Sequence, residues 1–395
     1  MAKNEVLVLG LGAMGSAAAY QLAKRGAKVL GLDQFAPPHP LGSSHGDTRI
    51  TRLAIGEGEQ YTPLAMRSHE LWREIETETG ASLLTVTGGL IISSRAKTAM
   101  LHVEDFFNNT VKAAERYRIP HELLDAADIR KRFPQFRVHD DEIGYYEPEA
   151  GFLRPEACVA ANLRMAEKYG ATIHMNEKVL GFDASPNGVT VQTDKDRYES
   201  ERLIVTAGPW LPEFLGPTYA SAFKIYRQLL FWFDVDGPIA PLLPRNCPVY
   251  IWELQGPQQA IYGFPAIDGA HGGAKVATQQ YEQTTTPETV RREVSPAEAA
   301  AMHATYIGPY LPSLSGRCIK AISCLYTVTP DAGFVIDFHP ESERVILASP
   351  CSGHGFKHSA AIGEALAELA IEARSRVDLS PFRLARFGSA SGGPA

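Results

Sequence analysis

The sequence lacks long hydrophobic runs and has no excess of positive charge. No apolar run reaches the about 20 residues that a membrane-spanning helix needs. The 38 basic residues are outnumbered by 45 acidic ones, so the formal net charge is −7. That sign is wrong for a protein that binds nucleic acid or an anionic membrane. These absences argue against membrane and nucleic-acid partners and favour a small-molecule ligand.

Cysteine is scarce, and its spacing shows no pairing pattern. The five cysteines are an odd number and include no Cys-x-x-Cys, so neither a disulfide framework nor a zinc ribbon is indicated. The chain also enters an apolar strand almost directly, without a basic and apolar leader before it. We therefore expect reduced thiols and a cytoplasmic location. The cysteines are Cys158, Cys247, Cys318, Cys324 and Cys351.

The composition is that of an average globular protein, with 45% hydrophobic and 21% charged residues. At 395 residues the chain is too long for one ordinary hydrophobic core. We therefore expect two domains, with room for a buried site between them.

The start of the chain has the pattern of a βαβ unit. Residues 5–9 predict a buried strand, residues 13–25 a helix that stops at Gly26, and residues 29–32 a second strand. Two strands joined through a helix in this way pair in a parallel sheet. The expected fold therefore contains an α/β domain of the Rossmann type.

The turn between this strand and its helix carries a G-x-G-x-x-G motif formed by Gly10, Gly12 and Gly15. The first glycine permits a tight turn, the second a close approach to a pyrophosphate, and the third close packing of helix on sheet. Asp33, at the end of the second strand, can accept a hydrogen bond from a ribose. The motif predicts a dinucleotide site but does not distinguish FAD from NAD.

Later segments indicate a second layer and then a return to the first domain. Residues 226–235 are aromatic and rich in β-formers, as in a broad antiparallel sheet. Residues 345–348 predict a buried strand and residues 359–373 a helix, both assigned to the first domain. The small and polar tail after Phe387 is predicted to be disordered.

Two short patterns resemble catalytic motifs without their context. Residues 42–46 match G-x-S-x-G around Ser44, but three prolines precede them where a hydrolase needs a buried strand. His354 and His358 have the spacing of helical metal ligands but lack the glutamate of H-E-x-x-H. We expect neither a serine nucleophile nor a metal site.

Several segments form a pattern along the chain, namely Pro37-Pro-His, Gly42-Ser-Ser-His-Gly-Asp-Thr-Arg49, Gly56-Glu-Gly58, Tyr262-Gly-Phe-Pro265, Cys324-Leu-Tyr326, Ser352-Gly-His-Gly-Phe-Lys357 and Leu379-Ser-Pro-Phe-Arg-Leu-Ala-Arg-Phe387. Through these segments essentially the whole chain resembles the family of monomeric sarcosine oxidase and N-methyltryptophan oxidase. The His-Gly-Asp-Thr-Arg and Ser-Gly-His-Gly-Phe-Lys strings are specific, and the closing string is particularly similar to the N-methyltryptophan branch.

The resemblance implies a discontinuous Rossmann-like FAD-binding domain with an inserted mixed-sheet substrate domain. The implied FAD-binding segments are residues 1–85, 148–215 and 320–387, the substrate segments are residues 86–147 and 216–319, and residues 388–395 form the expected tail.

The resemblance also implies site residues. FAD would be attached covalently through Cys324, the substrate carboxylate held by Arg52 and Lys357, and oxygen activated beside Lys275. His45 and Arg49 would line the flavin, and Tyr262 and Tyr326 the substrate cavity. The full set of implied cofactor-binding residues is Gly10, Gly12, Ala13, Met14, Gly15, Asp33, Ser44, Thr48, Arg49, Val179, Cys324, Gly353, Gly355, Phe356 and Lys357.

The implied reaction is oxidation of an N-methyl or cyclic secondary amino acid, with O2 as the acceptor and hydrogen peroxide as a product. Two alternatives are a nicotinamide-dependent Rossmann dehydrogenase and a flavin-binding module without turnover. Ile55, Gln279 and a longer loop between Pro265 and Lys275 depart from the family pattern. Sarcosine, N-methyltryptophan, pipecolate and proline-like substrates therefore stay open. A monomer is expected, and an oligomer stays open as the alternative.

Overall fold

The computed structural model describes residues 4–94, 103–254 and 260–388. The predicted tail falls outside these residues, apart from Gly388. The described helices are α1 (Ala13–Lys24), α2 (Thr62–Thr79), α3 (Phe106–Tyr117), α4 (Ala126–Arg132), α5 (Pro155–Lys168), α6 (Pro217–Ala220), α7 (Pro296–Met302) and α8 (Ser359–Glu372). None of them is both long and apolar enough to cross a bilayer.

The described strands form three sheets. They are β1 (Asn4–Leu9), β2 (Val29–Leu32), β3 (Arg49–Thr51), β4 (Leu84–Val86), β5 (Gly89–Ser94), β6 (Glu122–Asp125), β7 (Glu142–Glu147), β8 (Gly151–Leu153), β9 (Thr172–His174), β10 (Val179–Ser185), β11 (Gly188–Thr193), β12 (Arg197–Val205), β13 (Lys224–Val235), β14 (Val249–Glu253), β15 (Ala260–Gly263), β16 (Ala274–Ala277), β17 (Thr284–Thr285), β18 (Leu314–Val328), β19 (Val335–His339) and β20 (Ser342–Ser349).

The first sheet has eight strands around the predicted βαβ unit. Its main order is β10-β11-β12-β1-β2-β9, and β20 joins it beside β12 and β19. Strand β1 is parallel to both β2 and β12. Its residues from Val6 to Leu9 are buried, as expected of a parallel strand covered on both faces. Val6 and Val8 belong to a core that includes α1, α5 and α8, and Leu7 and Leu9 belong to a second core that includes β11.

The second sheet has nine strands and is mostly antiparallel. Its main order is β17-β13-β16-β15-β14-β5-β7-β6, with β18 paired along β13. Strands β5 and β14 run parallel, so the sheet is mixed. A third, small sheet has the strand order β3-β8-β4. The predicted α/β and α+β fold class is confirmed, whereas the domain boundaries stay a prediction.

Close packing of small residues joins α1 to α8 over the first sheet. Ala17 and Ala18 of α1 meet Gly363 of α8, and a Cβ built at Gly363 would lie 2.4 Å from the Cβ of Ala17. This contact fixes α8, and therefore the turn before it, against the βαβ unit. The site described below depends on that turn.

Replacing Gly363 by alanine should lower the midpoint of thermal unfolding. The added methyl group would force the two helices apart, at a cost of about 1–3 kcal/mol. Gly181→Ala is the control, since a Cβ at Gly181 meets nothing within 4 Å. A midpoint for Gly363→Ala equal to that of wild type would contradict the packing argument.

Candidate active site

One large cavity runs between the first and second sheets. Its empty volume is about 1950 Å³, part of which is open to solvent, and its wall includes Leu9 of β1 and Tyr262 of β15. The cavity therefore brings residues of both sheets into one site.

The turn from β1 into α1 forms one end of this cavity. Gly10 has φ +84°, and a Cβ there would lie 2.6 Å from the carbonyl oxygen of Thr206. A Cβ at Gly15 would lie 1.8 Å from the carbonyl oxygen of Gly10, so only glycine lets α1 begin this close to β1. Gly12, the N-cap of α1, lines the cavity and has no side-chain cap. The backbone thus leaves an open anion cradle at the helix N-terminus.

Asp33 ties this turn to the end of β2. Its Oδ2 accepts a hydrogen bond from the Leu11 backbone N–H at 2.7 Å, and its Oδ1 accepts one from the Phe35 N–H at 2.8 Å. Burial raises the pKa of Asp33, although both backbone bonds favour the charged form. The carboxylate also lines the cavity, where the ribose of a dinucleotide would lie.

Ser44 belongs to the cradle and has no catalytic partner among the described residues. Its Oγ accepts a hydrogen bond from the Ala13 N–H at 3.1 Å. His354 stacks on Phe334 with ring centroids 4.6 Å apart, and the side chain of His358 is fully buried near Tyr61. Both histidines therefore belong to an aromatic cluster.

Most of the predicted cofactor residues share this one cavity. Those that line it are Gly10, Gly12, Ala13, Met14, Asp33, Ser44, Arg49, Val179, Gly353, Gly355, Phe356 and Lys357. Gly15, His45, Thr48, Lys275 and Cys324 do not line it. Gly15 packs helix against strand, and the other four lie behind the wall near Arg49.

Cys324 lies on β18 and is 1% exposed. Its Sγ is 3.5 Å from Nη2 of Arg49, which itself lines the cavity. Burial opposes ionisation of the thiol, but the neighbouring His45 and Arg49 outweigh it and lower the pKa of Cys324 to about 7. Since thiolates are the reactive form, Cys324 is chemically distinct from an inert core cysteine. By contrast, burial raises the pKa of Cys247 to about 12.

Lys275 of β16 is 2% exposed and contacts the loop that precedes β3. Its Nζ donates hydrogen bonds to the carbonyl oxygens of Gly46 at 2.7 Å and Thr48 at 2.9 Å. It also lies 4.5 Å from the ring centroid of Phe264. Burial lowers the pKa of Lys275 well below its ordinary value, and the positive charge of Arg49 adds to that effect. The hydrogen-bond partners are oxygen atoms without formal charge, whereas the charges of Asp47 and Cys324 favour the protonated form of Lys275.

Two further buried cations meet at the other end of the cavity around Glu57. The Nη2 of Arg52 lies 2.5 Å from Glu57 Oε2, and the Nζ of Lys357 lies 3.6 Å from Oε1. Lys357 also donates to the carbonyl oxygen of His354 at 2.6 Å. Burial lowers the pKa of Lys357 to about 8, although Glu57 favours its charged form. The cluster holds two cations and one carboxylate, and it can therefore accept a second carboxylate.

Two tyrosines, Tyr262 and Tyr326, also line the cavity wall. The hydroxyl oxygens of Tyr262 and Tyr326 are 3.4 Å apart, and burial raises the pKa of both phenols. Gln279 also lines the cavity, and its Oε1 accepts a hydrogen bond from the Tyr281 hydroxyl at 3.0 Å. Ile55, by contrast, is fully buried in the core and does not line the cavity. Of these two residues, only Gln279 can touch a ligand directly.

Some residues of the site received no role in the sequence interpretation. Glu57 lies in the Gly56-Glu-Gly58 string that supports the family resemblance. The string marks the position, but it does not predict that Glu57 pairs with Arg52 and Lys357. The ring of Phe106 lies 5.0 Å from the Arg52 guanidinium, and Thr206 lies beneath the glycine turn. No local pattern marks these two residues.

The comparisons with known proteins define the class. Residues 5–369 match the family model for FAD dependent oxidoreductase, DAO. Since the match covers most of the chain, the protein belongs to this family of FAD-dependent oxidoreductases. The cradle at Gly12 and the carboxylate of Asp33 fit the dinucleotide part of that cofactor.

Within the family, the chain is similar to two groups of curated oxidases, which confirms the resemblance. The monomeric sarcosine oxidase of Streptomyces avermitilis is 40% identical over 388 residues, covering 98% of each chain. The N-methyl-L-tryptophan oxidase of Salmonella arizonae is 34% identical over 393 residues, covering 98% of this chain and 99% of the relative. A solved mutant of NikD, an unusual amino acid oxidase essential for nikkomycin biosynthesis, shares the fold with TM-score 0.84 at 22% identity, covering 97% of each chain.

In protein prepared without flavin, the Cys324 thiol should titrate with a pKa of about 7. The measurement is the ultraviolet absorbance of the thiolate as pH rises, taken as the difference between wild type and Cys324→Ser. Cys247→Ser is the control, because the pKa of that thiol lies at about 12. A midpoint for Cys324 at or above the ordinary thiol value of 9.0 would show that the neighbouring cations do not act on it.

Proposed function

We propose that this FAD-dependent oxidoreductase oxidises the C–N bond of an N-methyl or cyclic secondary amino acid and uses O2 as its acceptor. The observation that carries the proposal is the pair of buried cations, Arg52 and Lys357, in the same cavity as the dinucleotide cradle. A substrate that reaches both regions needs a carboxylate at one end and the oxidisable amine beside it. The names of the sarcosine and N-methyltryptophan oxidases support this substrate class.

The substrate carboxylate would share Arg52 and Lys357 with Glu57. In the described structure Glu57 engages both Arg52 and Lys357. An entering carboxylate can take a bidentate bond from the arginine and a charge-assisted bond from the lysine. The added negative charge would also favour the protonated form of Lys357, whose pKa burial lowers to about 8. Binding therefore increases the charge compensation of the site.

Tyr262 and Tyr326 are placed to orient the amine. Their hydroxyl groups are 3.4 Å apart on the cavity wall, and their raised pKa keeps both phenols protonated near neutral pH. Glu57 is already paired with cations, so it is a poor base for the amine. We therefore propose that the substrate reacts as the uncharged amine, held by positioning rather than by a general base.

Bound FAD supplies the two-electron acceptor, which O2 regenerates with release of hydrogen peroxide, while the imine product hydrolyses in water to an amino compound and an aldehyde or ketone. Lys275 is the residue proposed to assist the oxygen half-reaction. It is buried against Phe264 with oxygen partners that carry no formal charge. Negative charge that develops on oxygen would favour the protonated form of Lys275, and the resulting cation would stabilise that charge in a dry site.

Cys324 is the residue proposed to hold FAD covalently through a thioether. Its lowered pKa and its contact with Arg49 at the cavity wall support that role. The backbone of Gly353 and Gly355 lines the same cavity just before α8 and offers a further polar surface for the cofactor.

The function is tested by measuring hydrogen peroxide on addition of sarcosine, N-methyltryptophan, pipecolate and proline to the purified protein. At least one of them should release peroxide and an imine-derived carbonyl. Arg52→Met should raise KM by about 10- to 100-fold, because a charged hydrogen bond to the substrate is lost. The control is Arg116→Met, whose side chain is 64% exposed and pairs with Glu59. Dependence on added nicotinamide nucleotide, or no peroxide with any substrate, would refute the proposal.

Covalent attachment is tested by acid precipitation. Flavin absorbance should stay with the wild-type polypeptide and be released from Cys324→Ser, since an alcohol of ordinary pKa is a far poorer nucleophile than the thiolate. Cys318→Ser, on the same strand, should retain the colour. Equal retention by Cys324→Ser would place the attachment elsewhere.

A further inference from the structure

Glu147 is a buried carboxylate outside the cavity. It is the last residue of β7, is 1% exposed and pairs with Gly89 in the nine-stranded sheet. It does not line the large cavity, but with Arg52 it lines a small pocket beside it. Its contacts nevertheless lead directly to Arg52.

The carboxylate of Glu147 holds the two residues that follow Arg52. Its Oε1 accepts a hydrogen bond from the Leu53 N–H at 2.6 Å, and its Oε2 accepts one from the Ala54 N–H at 3.1 Å. The Tyr145 hydroxyl donates to Oε2 at 3.0 Å. The Arg52 guanidinium in turn donates to the carbonyl oxygen of Ala54. One short segment is therefore bonded to Glu147 through its N–H groups and to the guanidinium through its carbonyl group.

Burial of this carboxylate is costly without compensation. Desolvation raises the pKa of Glu147, whereas the two backbone bonds and the charge of Arg52 favour its ionised form. Two amides and a phenol supply donors to both oxygens, so the site is built for an acceptor rather than for an apolar or donating group. A glutamine in place of Glu147 would put its side-chain N–H group opposite a backbone N–H, so two donors would face each other.

We propose that Glu147 is the positioning residue for Arg52, fixing the Leu53–Ala54 backbone so that the guanidinium faces the substrate carboxylate. This inference rests on the proposed function in one respect, namely that the substrate carries a carboxylate. Glu147 acts from the second sheet on a loop that leaves the third sheet after β3. The packing of the second sheet against the third would therefore set the position of Arg52, and with it the affinity for the substrate.

The same strand provides a matched control. Glu142 begins β7, is also 1% exposed, and accepts hydrogen bonds from the Trp252 indole at 2.7 Å and the His139 N–H at 2.6 Å. Neither partner belongs to the loop that carries Arg52. Substitution of Glu142 reproduces the loss of a buried carboxylate without disturbing that loop.

The test compares Glu147→Gln and Glu142→Gln as flavin-loaded enzymes. Two quantities are measured: KM and kcat for an N-methyl amino acid, and the Kd of methoxyacetate by calorimetry. Methoxyacetate keeps the carboxylate but has an ether oxygen in place of the amine. Glu147→Gln should raise KM and this Kd by about tenfold, with kcat within about threefold, because one acceptor in the anchor becomes a donor. Glu142→Gln should change both by less than about twofold.

The inference is overturned if Glu147→Gln binds flavin yet leaves both KM and the methoxyacetate Kd within twofold of wild type. It is also overturned if Glu142→Gln raises them equally, since the effect would then be general loosening of β7. Should Glu147→Gln fail to fold, Tyr145→Phe removes one donor and keeps the ring. That variant should raise the Kd about threefold, and no change would reject the inference.

A failed proposed function gives a different result, because wild type would then release no peroxide. The methoxyacetate Kd would still report whether Glu147 positions Arg52.

Discussion

The structure depends on burying positive charge beside a cavity. Arg52, Lys275 and Lys357 are each at most 5% exposed, and an unpaired charge in such surroundings is costly. Glu57 pairs with two of them, whereas Lys275 is held by backbone and hydroxyl oxygens. The Glu57 cluster therefore has two buried cations for one carboxylate, and the hydrogen-bond partners of Lys275 carry no formal charge. Such surroundings favour the approach of negative charge.

The fold maintains this arrangement through residues 43–58, which comprise the short strand β3 and the loops on either side of it. Lys275 reaches it from the second sheet at Gly46 and Thr48, and Glu147 reaches it from the same sheet at Leu53 and Ala54. The β1–α1 cradle meets it at Ser44. The glycine turn, Lys275 and Arg52 are therefore connected through a single backbone segment, along which buried polar side chains concentrate.

Features encoded by neighbouring residues could be predicted from the sequence. The glycine turn, α1 and the acid at the end of β2 follow one another within 33 residues, and the structure has them in the predicted order. The contacts of Glu57, Phe106 and Glu147 could not be predicted in this way. Leu53 and Glu147 are 94 residues apart, and strand pairing alone brings them together. A buried glutamate has no periodic pattern that reveals its partner.

The most direct measurement is anaerobic mixing of the flavin-loaded protein with an N-methyl amino acid and, in parallel, with the amide of the same compound. The buried cations predict that the acid bleaches the flavin absorbance at concentrations at which the amide leaves it unchanged. Admission of oxygen should then restore the colour. Equal bleaching by acid and amide, or bleaching by neither, would contradict recognition of the substrate through its carboxylate.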